Sequence, residues 1–134
     1  MADSFKFELV SPERLVVSED VTAVVAPGTE GYMTVMAHHA PLMATLKAGL
    51  VEVTLAGGST RRIFIQGGFA DINPRGFTLL AEQASDVADM DAADLDRYIE
   101  EAREAAASAA DGDPKVRAEQ RVSDLVNARD ALRA

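Results

Sequence analysis

The chain has no cysteine. That excludes a disulfide framework, a thiol nucleophile and a thiolate metal site. Basic residues are also scarce: 13 Lys and Arg stand against 22 Asp and Glu, for a net charge of −9. A nucleic-acid binder needs a basic face to displace phosphate counterions, so no nucleic-acid partner is expected. The same acidity disfavours adhesion to anionic lipid. No apolar run approaches the ~20 residues that span a bilayer, so no direct lipid insertion is expected. The opening residues, 1–6, hold no apolar core of a signal peptide. These absences together lead us to expect a cytosolic chain that meets a membrane only through a partner. Hydrophobic residues nevertheless make up 48% of the sequence, enough to build a core and to argue against wholesale disorder.

Catalytic grammar is missing too. His38 and His39 are adjacent, so on a strand their side chains would point to opposite faces and could not chelate one metal together. Gly67-Gly68 lacks the Lys-Ser/Thr that follows the glycines of a phosphate-binding loop. Ser59 and Ser85 have no elbow-like glycine context. Neither a cofactor nor independent catalysis is expected.

What is present is a change of pattern near Val87. Eight of the nine glycines and four of the five prolines precede it, among short runs of alternating or clustered apolar residues. Phe5-Lys6-Phe7-Glu8-Leu9-Val10 alternates with period two and reads as a half-buried strand. Further strands are expected at residues 15–17, 21–25, 32–36, 50–55, 60–66, 69–72 and 77–80. Gly57-Gly58 and Asn73-Pro74-Arg75-Gly76 supply hairpin turns. Roughly nine short strands at this spacing predict an antiparallel sandwich or flattened barrel over residues 1–86.

From Val87 onward, thirteen of forty-eight residues are alanine and the apolar spacing becomes helical. Asp91 or Asp94 can cap a first helix, whose stripe runs Leu95, Ile99, Ala102, Ala106, Ala109. Asp111-Gly112-Asp113-Pro114 ends it and starts a second, striped by Ala118, Val122, Leu125, Ala128 and Leu132. The expectation is an all-β N-terminal unit followed by an antiparallel two-helix hairpin over residues 87–134. Alanine buries little area, so the hairpin is weakly packed by itself.

Several short motifs occur in order along the chain: Pro27-Gly28-Thr29-Glu30-Gly31-Tyr32, His39-Ala40-Pro41-Leu42, and Lys47-Ala48-Gly49-Leu50. Val10-Ser11-Pro12-Glu13, Gly67-Gly68-Phe69 and Leu79-Leu80-Ala81-Glu82 accompany them. With these the chain resembles the ε subunit of bacterial F-type ATP synthase over essentially its whole length. The resemblance implies a β-sandwich at the foot of a rotary central stalk, without an active site, bound to the γ subunit and the polar loops of the membrane c-ring. It also implies a peripheral location on the cytoplasmic face of the bacterial inner membrane. Coupling of proton-driven rotation to ATP synthesis would be its role, with a helical tail that can inhibit ATP hydrolysis by reaching the α and β subunits.

On that resemblance the rotor-interface candidates are Glu30, Gly31, Tyr32, His39 and Pro41. Gly28 and Gly31 would shape a tight loop presenting Glu30 and Tyr32, and His39-Ala40-Pro41 would be a rigid connector. Gly49, Gly67 and Gly68 read as strand bends. The tail carries twelve acids and seven bases, net −5. Its second helix holds the candidate regulatory cations Lys115, Arg117, Arg121, Arg129 and Arg133. Some relatives bind ATP through a Leu-Asp-x-x-Arg-Ala motif; here Leu95-Asp96-Arg97-Tyr98 continues as Ile99-Glu100, an acid that should repel triphosphate. The alternative is a stand-alone β-sandwich that senses a small ligand under a helical lid.

Overall fold

The structure is a computed structural model that describes residues 3–133; the side chains of Ala92 and Arg133 also fall outside the description. Seven strands form among the described residues: β1 (Phe5–Ser11), β2 (Arg14–Gly28), β3 (Gly31–Met36), β4 (Leu42–Leu55), β5 (Thr60–Asn73), β6 (Gly76–Ala81) and β7 (Ala84–Asp86). A 3-10 turn (Val87–Asp89) leads to α1 (Ala92–Ser108) and α2 (Asp113–Arg133). Two compact units result; the first ends at Asp89 and the second begins at Met90.

In the first unit the strands pair in the order β1-β6-β5-β4-β2, and β2 pairs back to β1. That closes a barrel, so that of the described strands only β3 and β7 have a single partner. β3 extends the second half of β2, and β7 lies on β5. The expected all-antiparallel pairing needs one correction, because β1 and β6 run parallel. They approach closely because Gly76, at φ 144°, has no side chain; a Cβ there would collide with the carbonyl oxygen of Lys6.

The strands are also fewer and longer than the sequence pattern suggests. Glu19 and Asp20 look like an interruption, yet both stay exposed between the buried Val17 and Val21 while pairing with Phe7 and Lys6 of β1, so β2 runs through them. Gly67 and Gly68 bend β5 without ending it, and the pairing to β4 continues on both sides, at Ala48↔Gln66 and Leu46↔Gly68. Alternation places Phe7 and Leu9 of β1 inside, where the Phe7 ring meets that of Phe77 edge-on, centroids 5.1 Å apart. Val24, Val51, Ile63, Ile65 and Leu79 complete the fully enclosed core.

β7 is held by a charge pair. Nε and an NH2 group of Arg61 both donate to Asp86 Oδ2, at 3.2 and 2.8 Å, and Asp86 Oδ1 accepts from the Ala88 N–H. Burial by itself would raise the Asp86 carboxyl, but these hydrogen bonds and the Arg61 charge outweigh it and hold it below the ordinary 3.8. The native state therefore favours the carboxylate more than the unfolded chain does. Its stabilisation is complete above the ordinary value and fades as pH falls through the lowered native one. Asp86→Asn is expected to lower the melting temperature at neutral pH. The difference from wild type should vanish in strong acid, below the native value, which melting curves from pH 2 to 7 would show.

The helical unit follows its caps. Asp91 accepts from the Asp94 N–H and Asp94 accepts from the Asp91 N–H, each at 3.1 Å, a reciprocal capping box worth about 1 kcal/mol. α1 ends at Ser108, and Gly112 makes the turn at φ 96°. The first stripe is buried at Leu95, Ile99, Ala102 and Ala106, with Ala109 falling at the C-cap; of the second only Leu125 and Ala128 are buried, while Ala118, Val122 and Leu132 are half-buried.

Candidate functional site

The glycine-rich motif forms the tip between β2 and β3. Gly28 pairs with Gly31, leaving Thr29 and Glu30 as a two-residue turn. Both glycines are required by geometry: a Cβ on Gly28 would lie 2.8 Å from the Gly31 carbonyl oxygen, and Gly31 itself sits at φ 137°. The Thr29 N–H donates to the Thr45 carbonyl at 3.0 Å, tying the tip to β4.

Tyr32 follows, with about half of its surface exposed. Its hydroxyl accepts from the Leu50 N–H at 3.4 Å, and Lys47 Nζ stands 5.7 Å from the ring centroid. Gly49 leaves room for that hydroxyl, since a Cβ there would stand 2.8 Å from it. The ring is thus fixed at its polar end and flanked by Lys47, yet remains about half exposed. Exposed Leu42 and Met43 of β4 lie across from it, and the walls between enclose an open concavity of about 460 Å³. Glu30, Gly31 and Tyr32 are therefore brought together, as one tip with an acid, an aromatic ring and flexible apolar side chains.

His39 and Pro41 are elsewhere, exposed on the connection between β3 and β4. The two histidines lie beyond β3 and not on a strand, so the pleat argument against joint chelation does not apply to them. His38 takes a left-handed conformation at φ 65°, which no strand allows, and turns the chain. Its Nε2 lies 2.7 Å from Asp3 Oδ2, while His39 Nδ1–H donates to the neighbouring Ala40 carbonyl at 2.7 Å. Among the described residues no three His, Asp or Glu side chains group as metal ligands would.

The sequence reading missed a second surface. On the outer barrel wall the register aligns Thr45↔Phe69, Phe69↔Leu80, Leu80↔Val10 and Val10↔Leu15. Leu15 and Leu80 are about half exposed, and Phe69 is about a third exposed. This apolar row crosses five strands. The adjoining outward row is polar: Asp71, Thr78, Glu8 and Ser18. A closed barrel does not need such a row for its own core, and contiguous exposed apolar surface marks a docking site. No single strand reveals it, because an apolar residue reads alike whether it faces the core or a partner.

Of the tail cations, two are occupied within the hairpin. Lys115 Nζ donates to the Ala106 carbonyl at 3.4 Å, and Arg129 approaches Asp96 at 3.5 Å. Arg117 is exposed, Arg121 has an interaction partner, and the side chain of Arg133 lies outside the described residues.

Comparison with known proteins follows the same lines. Residues 4–87 match the family described as ATP synthase, Delta/Epsilon chain, beta-sandwich domain. A Mesorhizobium japonicum protein called ATP synthase epsilon chain is 58% identical over 132 residues, covering 98% of each chain. A Rhizobium meliloti protein of the same name is 56% identical over 125 residues, 93% of this chain and 92% of that one. Among solved structures, a chain of the Euglena gracilis mitochondrial ATP synthase (OSCP/F1/c-ring) superposes with a TM-score of 0.77 at 27% identity, covering 96% and 81%. A chain from the Tetrahymena thermophila mitochondrial ATP synthase central stalk and c-ring shares the fold at a TM-score of 0.67 and 11% identity. Nothing in these likenesses supports a stand-alone ligand sensor.

Proposed function

Because the chain belongs to the ATP synthase epsilon-chain family, we propose that its barrel grips the rotor through two separate surfaces. The protein is a non-catalytic central-stalk subunit that couples proton-driven rotation to ATP synthesis. The apolar row of Phe69, Leu80, Val10 and Leu15 docks on the γ subunit. The tip carrying Glu30, Tyr32 and Met43 meets the polar loops of the c-ring, and His39 and Pro41, exposed on the β3–β4 connection, are a separate candidate rotor contact. The observation that carries this reading is the row itself: ordered apolar surface on a wall whose hydrogen bonds are already satisfied by barrel closure.

Preorganisation supports the assignment of the tip. Tyr32 is already held by Leu50 and Lys47, so binding orders little that is not ordered beforehand. No helix among the described residues is long and apolar enough to cross a membrane. Its kinship with bacterial epsilon chains supports placing it, through its partners, at the cytoplasmic face of the bacterial inner membrane. The helical unit is the regulator, offering its second-helix cations to acidic segments of the α and β subunits to restrain hydrolysis.

Deleting residues 90–134 tests the division of labour. An enzyme reconstituted with the shortened chain is expected to assemble and to keep proton-driven ATP synthesis, while its ATP hydrolysis rises. Failure to assemble would make the helices structural. Unchanged hydrolysis would place the inhibition in another part of the complex.

A further inference from the structure

We propose that Asp96 and Arg129 form a latch between α1 and α2, in which Asp96 occupies the guanidinium that an acidic partner segment would otherwise take. The effect on inhibition rests on the tail being a regulator; the latch itself does not.

The apolar seam between α1 and α2 is poor. Beyond Leu95, Ile99 and Leu125, its buried apolar members are alanines, Ala102, Ala106 and Ala128, and the one buried acid among the described residues, Asp124, accepts from Gln120 Nε2 of its own helix at 3.0 Å. Alanine contributes little area, so the remaining interhelical contacts weigh more. Arg129 is a half-buried cation beside that seam. Its side chain is only 23% exposed, and its Nε is closed off from solvent without a hydrogen-bond partner. Guanidinium does not deprotonate, so an enclosed arginine needs a counter-charge. Two carboxylates stand near it. Asp130, 3.6 Å from Nε, belongs to the same helix and is itself 61% exposed. Asp96, 3.5 Å from an NH2 group, comes from the opposite helix. Only the second contact is lost when the helices part.

Enclosure makes the latch asymmetric. Removing the Asp96 charge leaves Arg129 enclosed without its interhelical counter-charge. Removing both charges leaves nothing unpaired, and methionine keeps most of the stem. The single variant should therefore be worse than the double. The same geometry sets up a competition. An acidic segment that reaches Arg129 must displace Asp96 first, so the hairpin carries an internal substitute for its partner.

Hydrogen exchange on the full chain reads the latch directly, at the amides of Ile99, Ala102, Leu125 and Ala128, with β5 amides reporting whether the barrel is intact. Asp96→Asn is expected to quicken exchange at the helical amides about fivefold. Adding Arg129→Met should bring it most of the way back. No change in the single variant, or faster exchange in the double, overturns the latch. ATP hydrolysis by the reconstituted enzyme reads the competition: Asp96→Asn should inhibit more strongly than wild type and Arg129→Gln less. If deletion of residues 90–134 raises hydrolysis but Asp96→Asn leaves it unchanged, the competition is overturned. If neither alters hydrolysis, the inhibitory reading of the tail is what fails.

Discussion

Leu80→Glu is expected to release the chain from γ without unfolding it. Leu80 lies on β6 with its side chain on the outer wall, half exposed, between Phe69 on one side and Val10 on the other. In the free protein a glutamate there is solvated, and an exposed substitution of this kind shifts stability by only about 0.5 kcal/mol either way. In a docked state the same carboxylate would be buried in an apolar row without a partner. Central interface positions cost about 2 kcal/mol or more when altered, which corresponds to roughly 30-fold weaker binding. Titration of γ with wild-type and variant chains, alongside a melting curve for each, separates the two effects. Weakened binding with an unchanged melting temperature is the expected result. Unchanged binding would move the docking surface off this row.

Gly68→Ala is expected to be the most destabilising single-methyl addition in the barrel. Gly68 sits at φ 154°, a backbone region nearly closed to side chains, and a Cβ there would collide with the Leu80 carbonyl oxygen. That oxygen belongs to β6 backbone, so it cannot swing aside as a flexible side chain would. Strain and overpacking together amount to about 3 kcal/mol, or a fall of about 15 °C in melting temperature for a barrel of this size. Gly57→Ala is the control, because nothing lies within 4 Å of a Cβ at that position. It should melt within a few degrees of wild type. If Gly68→Ala does so as well, the bend in β5 does not need its glycine.

How much of this was legible depends on what kind of signal each feature leaves. Period-two alternation revealed β1, because Phe7 and Leu9 go inside while Lys6 goes out. The 3.6-residue stripe revealed both helices down to the buried positions Leu95, Ile99 and Leu125. The glycine motif revealed a tight turn, since only glycine fits at Gly28 and Gly31. Strand lengths were harder to read. Lys47-Ala48-Gly49 has weak strand preference, yet β4 runs through it because β5 supplies the ladder. β7 has three residues, too few to carry a period. The left-handed turn at His38 left no local signal, because nothing in the residue type announces a positive φ. The apolar row escaped altogether. Leu15, Phe69 and Leu80 lie far apart in sequence, and only the register of three strand pairings, through Val10, sets them in one row.

The central claim is that the barrel alone holds the rotor, through its outer wall, while the helices regulate. The most direct measurement is a titration of isolated γ with the full chain and with a chain ending at Asp89. Equal affinity for the two is the predicted result, with Leu80→Glu weakening both alike. Loss of γ binding on removing residues 90–134 would contradict the account, because the grip would then lie in the helices.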